Sequence, residues 1–450
     1  MRGVVLVIPT LGLLGAWLVG RFPLFLLLAA TLLVVAIWDW WRFQDRSRTR
    51  TGVLGLMAAT GVSGAVALLA NRPPLVPAVD ELLMVLAGGA LALALVQLYR
   101  GEETVLTLAR GWIYLVVSLA VITLYQRLTR DLPALQGPFP SPGYLAAAAT
   151  FGLLLMPLGH SLDDDRLRRW AYPVTGALAC WVVWCTHQSI ALGCCVVIVT
   201  LWALLHRRGR WVAAGVAVIA LGVALSPWRR HFPLFWEDFG FEAPVTWEIR
   251  IGLIDTAMTL LRDSWFLGVG PGNFTRAIWV GDVAHPTGHS APYFALTELA
   301  AEYGLGVAVV LLLGFLGVLR WALQRFLRTP GLPWGGPERA TALWLSVAIV
   351  MLPFLSAIQP RWLSAPMSAL IVATLALLAR HIERPKGRRV IVGWSLGDTT
   401  SSAADSAGPA SRPASDISAA RADTPSTDSS AASGEAVPED TELSEVTMGR

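Results

Sequence analysis

Apolar residues fall into long blocks along this chain. Each block approaches the roughly 20 residues that an α-helix needs to cross about 30 Å of hydrocarbon. Twelve blocks can be placed, at 3–20, 23–41, 51–70, 82–99, 111–125, 144–160, 170–186, 189–205, 211–226, 292–319, 341–358 and 363–379. The pattern predicts an all-α polytopic membrane protein with about twelve transmembrane helices. Between the ninth and tenth blocks the chain turns polar over 227–291, which predicts one large loop outside the bilayer. That loop opens on Trp228, Phe232, Phe235, Trp236, Phe239 and Phe241. Such an aromatic stretch suits the lipid interface, where it is expected to floor a lipid-facing cleft. Further on, Ile249, Leu253, Ile254, Ala257, Leu260 and Leu261 recur at helical spacing. They predict an amphipathic helix over 246–262, with Thr246 as its cap and Glu248 in its first turn.

Composition agrees with the pattern. Hydrophobic residues make up 55% of the 450 residues and charged residues only 15%, and the mean hydropathy is +0.57. These values exclude an ordinary soluble domain. Arginine placement then sets orientation, because short loops rich in Lys and Arg stay cytoplasmic. One alternating set of connections carries Arg42, Arg46, Arg48 and Arg50, then Arg100 and Arg110, Arg166, Arg168 and Arg169, Arg207, Arg208 and Arg210, and Arg320, Arg325, Arg328 and Arg339. The other set is sparse in its short loops, with Arg21, Arg72, Arg127, Arg130 and Arg361, and the loop 227–291 is too long for its arginines to weigh. Both termini are therefore expected in the cytoplasm and 227–291 outside. The first block runs at once into a second, so it reads as a retained helix and not a cleaved leader.

Three regions follow: a transmembrane domain over 1–380, a basic juxtamembrane segment over 381–394, and a tail over 395–450. The tail is rich in Ser, Ala, Thr, Asp and Pro and predicts disorder, since it has too little apolar surface to offset its ordering entropy. It holds ten acidic and three basic residues, a net −7, which leaves +11 for the remainder of a chain totalling +4. The basic excess belongs to the loops and records topology, so no nucleic-acid partner is expected. Cys180, Cys185, Cys194 and Cys195 fall in apolar blocks without metal-site spacing, and read as small hydrophobes.

Candidate chemistry concentrates in the polar loop. Arg250 lies near the start of the amphipathic helix. The run Gly268-Val269-Gly270-Pro271-Gly272-Asn273-Phe274 lets the backbone turn where other residues resist. It can present amides to an anion, or it can simply be an interhelical turn. His285 and His289 are four apart, but Pro286 and Gly288 oppose the regular helix that a metal pair would use, and no metal is expected. An imidazole at the mouth of a membrane helix, followed by Glu298 and Glu302, suits acid/base work near neutral pH. A solvated loop histidine is the competing reading.

The order of these elements resembles the O-antigen ligase and polymerase superfamily of bacterial membrane glycosyltransferases. The resemblance rests on Gly137-Pro138-Phe139-Pro140-Ser141-Pro142-Gly143-Tyr144-Leu145-Ala146, on Arg250 ahead of Asp263-Ser264-Trp265-Phe266-Leu267 and the glycine run, and on His289-Ser290 leading to Glu302-Tyr303-Gly304-Leu305-Gly306. It spans about residues 80 to 380. It implies a GT-C-like helical fold in the bacterial inner membrane and a metal-independent enzyme without cofactors. Such an enzyme passes a glycan from undecaprenyl pyrophosphate to a hydroxyl of a glycan, lipid or protein acceptor at the outer face. In that analogy Arg250 binds the pyrophosphate, with Gly270, Gly272, Asn273 and His285 near it, and His289 aligns or deprotonates the acceptor with Glu302 or Glu298.

Some positions depart from the family pattern. Ile190 stands where the family carries an arginine at a helix start, in Thr186-His187-Gln188-Ser189-Ile190-Ala191, leaving His187 and Gln188 as partial substitutes. Ser141 and Gly143 replace an asparagine pair. The spacing from His289 to Glu302 is about one helical turn longer than usual, so Glu298 competes for that role. Ligase and polymerase activities both fit, a catalytically silent relative remains a third reading, and a transporter is a fourth.

Overall fold

A computed structural model describes residues 47–71, 75–99, 101–129, 134–139, 141–205, 238–239, 244–245, 247–280, 293–329, 337–358, 361 and 366–383, together with Val34 and Ile37. The described helices are α1 (Arg48–Asn71), α2 (Leu75–Gln97), α3 (Glu102–Thr129), α4 (Pro142–Leu162), α5 (Arg166–Thr186), α6 (Ser189–Leu205), α7 (Trp247–Asp263), α8 (Phe274–Val280), α9 (Ala295–Tyr303), α10 (Leu305–Arg328), α11 (Pro337–Ile358) and α12 (Pro366–Glu383). A minimal antiparallel pair, β1 (Asp238–Phe239) with β2 (Pro244–Val245), precedes α7. Among the described residues, six helices are long and apolar enough to cross a membrane: α1, α2 from Ala78, α3, α4, α10, and α11 from Glu338. The chain is a helical membrane protein.

Helix α4 is the axis of the bundle. Leu145 through Leu158 are buried almost without interruption, and α3, α5, α6 and α11 all pack against it. The four alanines Ala146–Ala149 permit this, because small side chains let helices approach closely where lipid offers no hydrophobic drive to association. By contrast α10 leaves Val309, Val310, Leu312, Leu313 and Leu316 exposed, the surface expected of a helix facing acyl chains.

Polar contacts fall at the two ends of the bundle. At one end Thr49 donates its amide (3.2 Å) and hydroxyl (2.8 Å) to Glu383, the Tyr99 hydroxyl meets His381 Nδ1 at 2.6 Å, Arg110 pairs with Asp163 at 2.9 Å, and Arg325 pairs with Glu338 at 3.4 Å. At the opposite end Leu135 N donates to Cys185 O (3.0 Å), Gln126 brackets Gly137 through both its amide atoms, and α7 to α9 pack over the helix termini. The first end gathers most of the described arginines that the sequence pattern assigns to the cytoplasm. The second is where the described part of the polar segment, 247–280, packs.

Several boundaries differ from the sequence pattern, among them the start of α2, which is at Leu75 and not at 82. The block 292–319 is not one helix: Gly304, at φ 95°, separates α9 from α10, and α10 continues to Arg328. Helix α3 runs to 28 residues because its polar first turn, Glu102 and Glu103, is still helical. The predicted helix over 246–262 is α7, within a residue at its C-terminal end. The blocks at 3–20, 23–41 (Val34 and Ile37 aside) and 211–226, the aromatic stretch from Trp228 to Trp236, the tail over 395–450, and both His285 and His289 lie outside the described residues.

Candidate functional site

Helix α7 turns Leu253, Ala257, Leu260 and Leu261 inward, so the residue one turn before Leu253 and Ile254 is carried inward with them. That residue is Arg250, only 1% exposed. Its Nε donates to the carbonyl of Ala357 at 3.1 Å, near the C-terminal end of α11 where the helix dipole is negative. Its guanidinium lies 5.6 Å from the centroid of the Tyr293 ring. A buried cation is costly unless paired and hydrogen-bonded. The carbonyl and the ring face supply part of that compensation here.

The glycine-rich run has a role that local sequence alone does not reveal. Gly268, Gly270 and Gly272 all have positive φ, at 83°, 98° and 66°, and this lays the loop along the end of α9. Val269 N donates to Ala301 O at 2.7 Å and Gly270 N to Glu302 O at 3.0 Å. Gly272 N then reaches Glu302 Oε2 at 2.9 Å, and Phe274 N reaches Oε1 at 3.3 Å. The group these last two amides meet is therefore the chain's own Glu302 carboxyl. From the other side, Asn71 at the end of α1 donates its amide to Gly268 O at 2.6 Å, and the Ser63 hydroxyl donates to Tyr303 O. Asn273 is buried, and its carbonyl accepts the Ala277 amide at 2.8 Å, which opens α8.

Glu302 does not stand alone. One carboxylate oxygen from each of Glu81, Glu298 and Glu302 lies within 4.8 Å of the others, with Glu298 and Glu302 on one face of α9 and Glu81 in the first turns of α2. Glu298 and Glu302 are 1% and 3% exposed. Burial first, and then the charge of Glu81, pushes the Glu302 carboxyl up to about 8, against the pull of the Gly272 and Phe274 amides and of Arg361. Carboxylates this close and this dry cannot all ionise, so the group holds a proton at neutral pH. Such an arrangement can store and release a proton, or take an acid O–H to a neighbouring acceptor. It is also the acidic group among the described residues whose spacing could hold a cation, although no metal is expected from the sequence.

Tyr144, near the start of α4, lies within electrostatic reach of Glu298, Arg361, Glu81 and Tyr293. The Tyr303 hydroxyl is buried with no hydrogen-bond partner among the described residues. Arg361, exposed and at φ 50°, touches the Thr275 hydroxyl at 3.5 Å.

Of the sequence-predicted site residues, Arg250, Gly270, Gly272, Asn273, Glu298 and Glu302 converge at one end of the bundle. His187 and Gln188 form the α5–α6 turn at that same end. His187 caps α5 in a left-handed conformation, φ 52°, and burial, followed by the charge of Arg127, lowers its pKa. Gln188 is buried and its carbonyl accepts the Leu192 amide. Ile190 packs into the main apolar core. Sequence reasoning passed over Glu81, Tyr144, Tyr293 and Arg361. Glu81 borders an apolar block and looks like a helix-start acid, and the two tyrosines look like interface residues. Only an unexpected charge at a block edge signalled any of them. No protein-family model and no curated protein sequence matches this chain.

Proposed function

We propose that this membrane protein transfers a glycan from a polyprenyl-pyrophosphate carrier to an acceptor hydroxyl, at the bilayer face opposite its arginine-rich loops. The observation that carries this reading is the convergence of buried Arg250 with the two glutamates of α9 beneath the polar segment, in the chain order that resembles the O-antigen ligase and polymerase superfamily. In the reaction the acceptor oxygen attacks the anomeric carbon and the bond to pyrophosphate breaks. The acceptor proton passes to a base, and the carrier leaves as its diphosphate. A planar guanidinium in a dry site grips phosphate oxygens bidentately and stabilises charge on that leaving group. His289 takes the base role, and the Glu81, Glu298 and Glu302 group tunes the local field or relays the proton.

The arginine asymmetry supports cytoplasmic termini and an outward-facing site, in a bacterial inner membrane. Ligase and polymerase differ only in the acceptor. A carrier coupled to protons or cations is the second reading, favoured by the buried carboxylate trio, since ionisable groups inside membrane proteins mark ion pathways.

The test is reconstituted transfer with a lipid-linked glycan and an acceptor. Arg250→Ala and His289→Ala should each lose transfer while still inserting in the membrane. Full transfer by both variants would reject the site. Substrate-dependent proton flux without any glycan product would favour the carrier.

A further inference from the structure

Trp265, Phe266 and Leu267 form an apolar knuckle between α7 and the glycine run. They are 86%, 51% and 44% exposed. Trp265 and Phe266 are consecutive non-glycine residues at positive φ, 55° and 63°. Left-handed backbone is unfavourable for such residues and persists only where the surroundings over-determine it.

Here they do. Phe266 N donates to Leu261 O at 2.9 Å, Leu267 N to Ser264 O at 3.0 Å, and Leu305 N to Phe266 O at 3.0 Å. Gly268 and Gly304 let the two backbones meet so closely that a Cβ on either would sit under 3 Å from the other's main chain. The three backbone amides of the knuckle and the Phe266 carbonyl are spent on this pedestal, and the side chains are what it presents outward.

Two membrane helices fix its height. Leu305, which binds the Phe266 carbonyl, begins span α10. Asn71, which binds the carbonyl of Gly268, ends span α1. The knuckle therefore lies at the level where hydrocarbon gives way to headgroups, beside the lipid-facing side of α10. Tryptophan favours that boundary because its indole offers an apolar body and one N–H donor.

We infer that Trp265, Phe266 and Leu267 insert into the lipid headgroup boundary, and that this rigid anchor sets the depth of α9 and its glutamates relative to the membrane. The inference depends on the membrane spans alone and stands independently of the glycan-transfer reading. The anchor does not open and close: four hydrogen bonds and two glycine contacts hold it in one conformation.

The test places the photo-reactive residue benzoylphenylalanine at position 265 or, in a second variant, at position 267. The full-length protein is reconstituted in vesicles of phosphatidylethanolamine and phosphatidylglycerol carrying radiolabelled lipid. A third variant labels position 255, where Asp255 is exposed on the outer face of α7. Illumination should give phospholipid adducts at 265 and 267, in clear excess over position 255. Crosslinks from 265 and 267 to a second copy of the chain, or lipid labelling no greater than at 255, would overturn the inference. Both labels keep an apolar side chain at positions whose backbone makes the pedestal's contacts, so the pedestal is preserved, and recovery of monodisperse protein checks this.

Discussion

Replacing Gly268 with alanine perturbs the contact on which the candidate site is built. The added Cβ would lie 2.6 Å from the Glu302 carbonyl oxygen, 2.6 Å from Gly304 N and 2.7 Å from the Glu302 carbonyl carbon. These are main-chain atoms, so no side-chain rotation relieves the overlap. At φ 83° the alanine also pays about 1–2 kcal/mol for left-handed backbone. Relief requires lifting the loop from α9, which stretches the Val269–Ala301 and Gly270–Glu302 bonds, now 2.7 and 3.0 Å. Each is worth about 1 kcal/mol. The sum is a loss of about 3–4 kcal/mol, with the Glu302 carboxylate losing its amide partners in the same movement. Gly306→Ala is the matched control two residues past the break, since nothing lies within 4 Å of its would-be Cβ and alanine favours a helix by up to about 1 kcal/mol. Thermal unfolding in nanodiscs, with limited proteolysis across 264–273, should show Gly268→Ala clearly destabilised and cleaved in the loop, and Gly306→Ala equal to or above the parent. Equal midpoints for the two variants would refute the account of the loop.

Further outcomes follow from the same geometry. The Glu302 carboxyl ordinarily titrates near 4.5 and is raised to about 8, so between those values the native state binds more protons than the unfolded chain. Stability should therefore fall as pH rises through that window and level off above it, and Glu302→Gln should flatten the slope of thermal midpoint against pH. Glu81→Gln removes the second-largest cause of the shift and should move the titration downward; an unchanged profile would show that Glu81 does not face Glu302. If the tail lies on the side that the arginine pattern of the sequence assigns to the cytoplasm, deleting 395–450 should leave glycan transfer at the parental level in vesicles. Loss of transfer by a well-inserted truncation would place the tail on the wrong side.

The sequence by itself determined that this chain enters a membrane and where most of its helices run. Hydrocarbon demands a fixed length of apolar helix with every backbone amide bonded internally, a requirement that six of the described helices meet by their own length and composition. The blocks at 51–70, 144–160 and 341–358 accordingly match α1, α4 and α11 to within a few residues. The amphipathic period of α7 was legible for the same reason, being a local repeat. Tertiary structure decided the rest. The break at Gly304 is invisible in hydropathy, because it is made by the backbone of residues 266–268 pressing on the end of α9. The glycine run looked ready for an outside anion, yet Gly272 and Phe274 meet a carboxylate 30 and 28 residues away in the chain. Arg250 gains its partner 107 residues downstream at Ala357. Glu81 joins Glu298 and Glu302 only because α2 packs where it does. A local pattern fixes which face of a helix is apolar, whereas the company a polar side chain keeps depends on helix order and register, and those are set by packing between segments far apart in sequence.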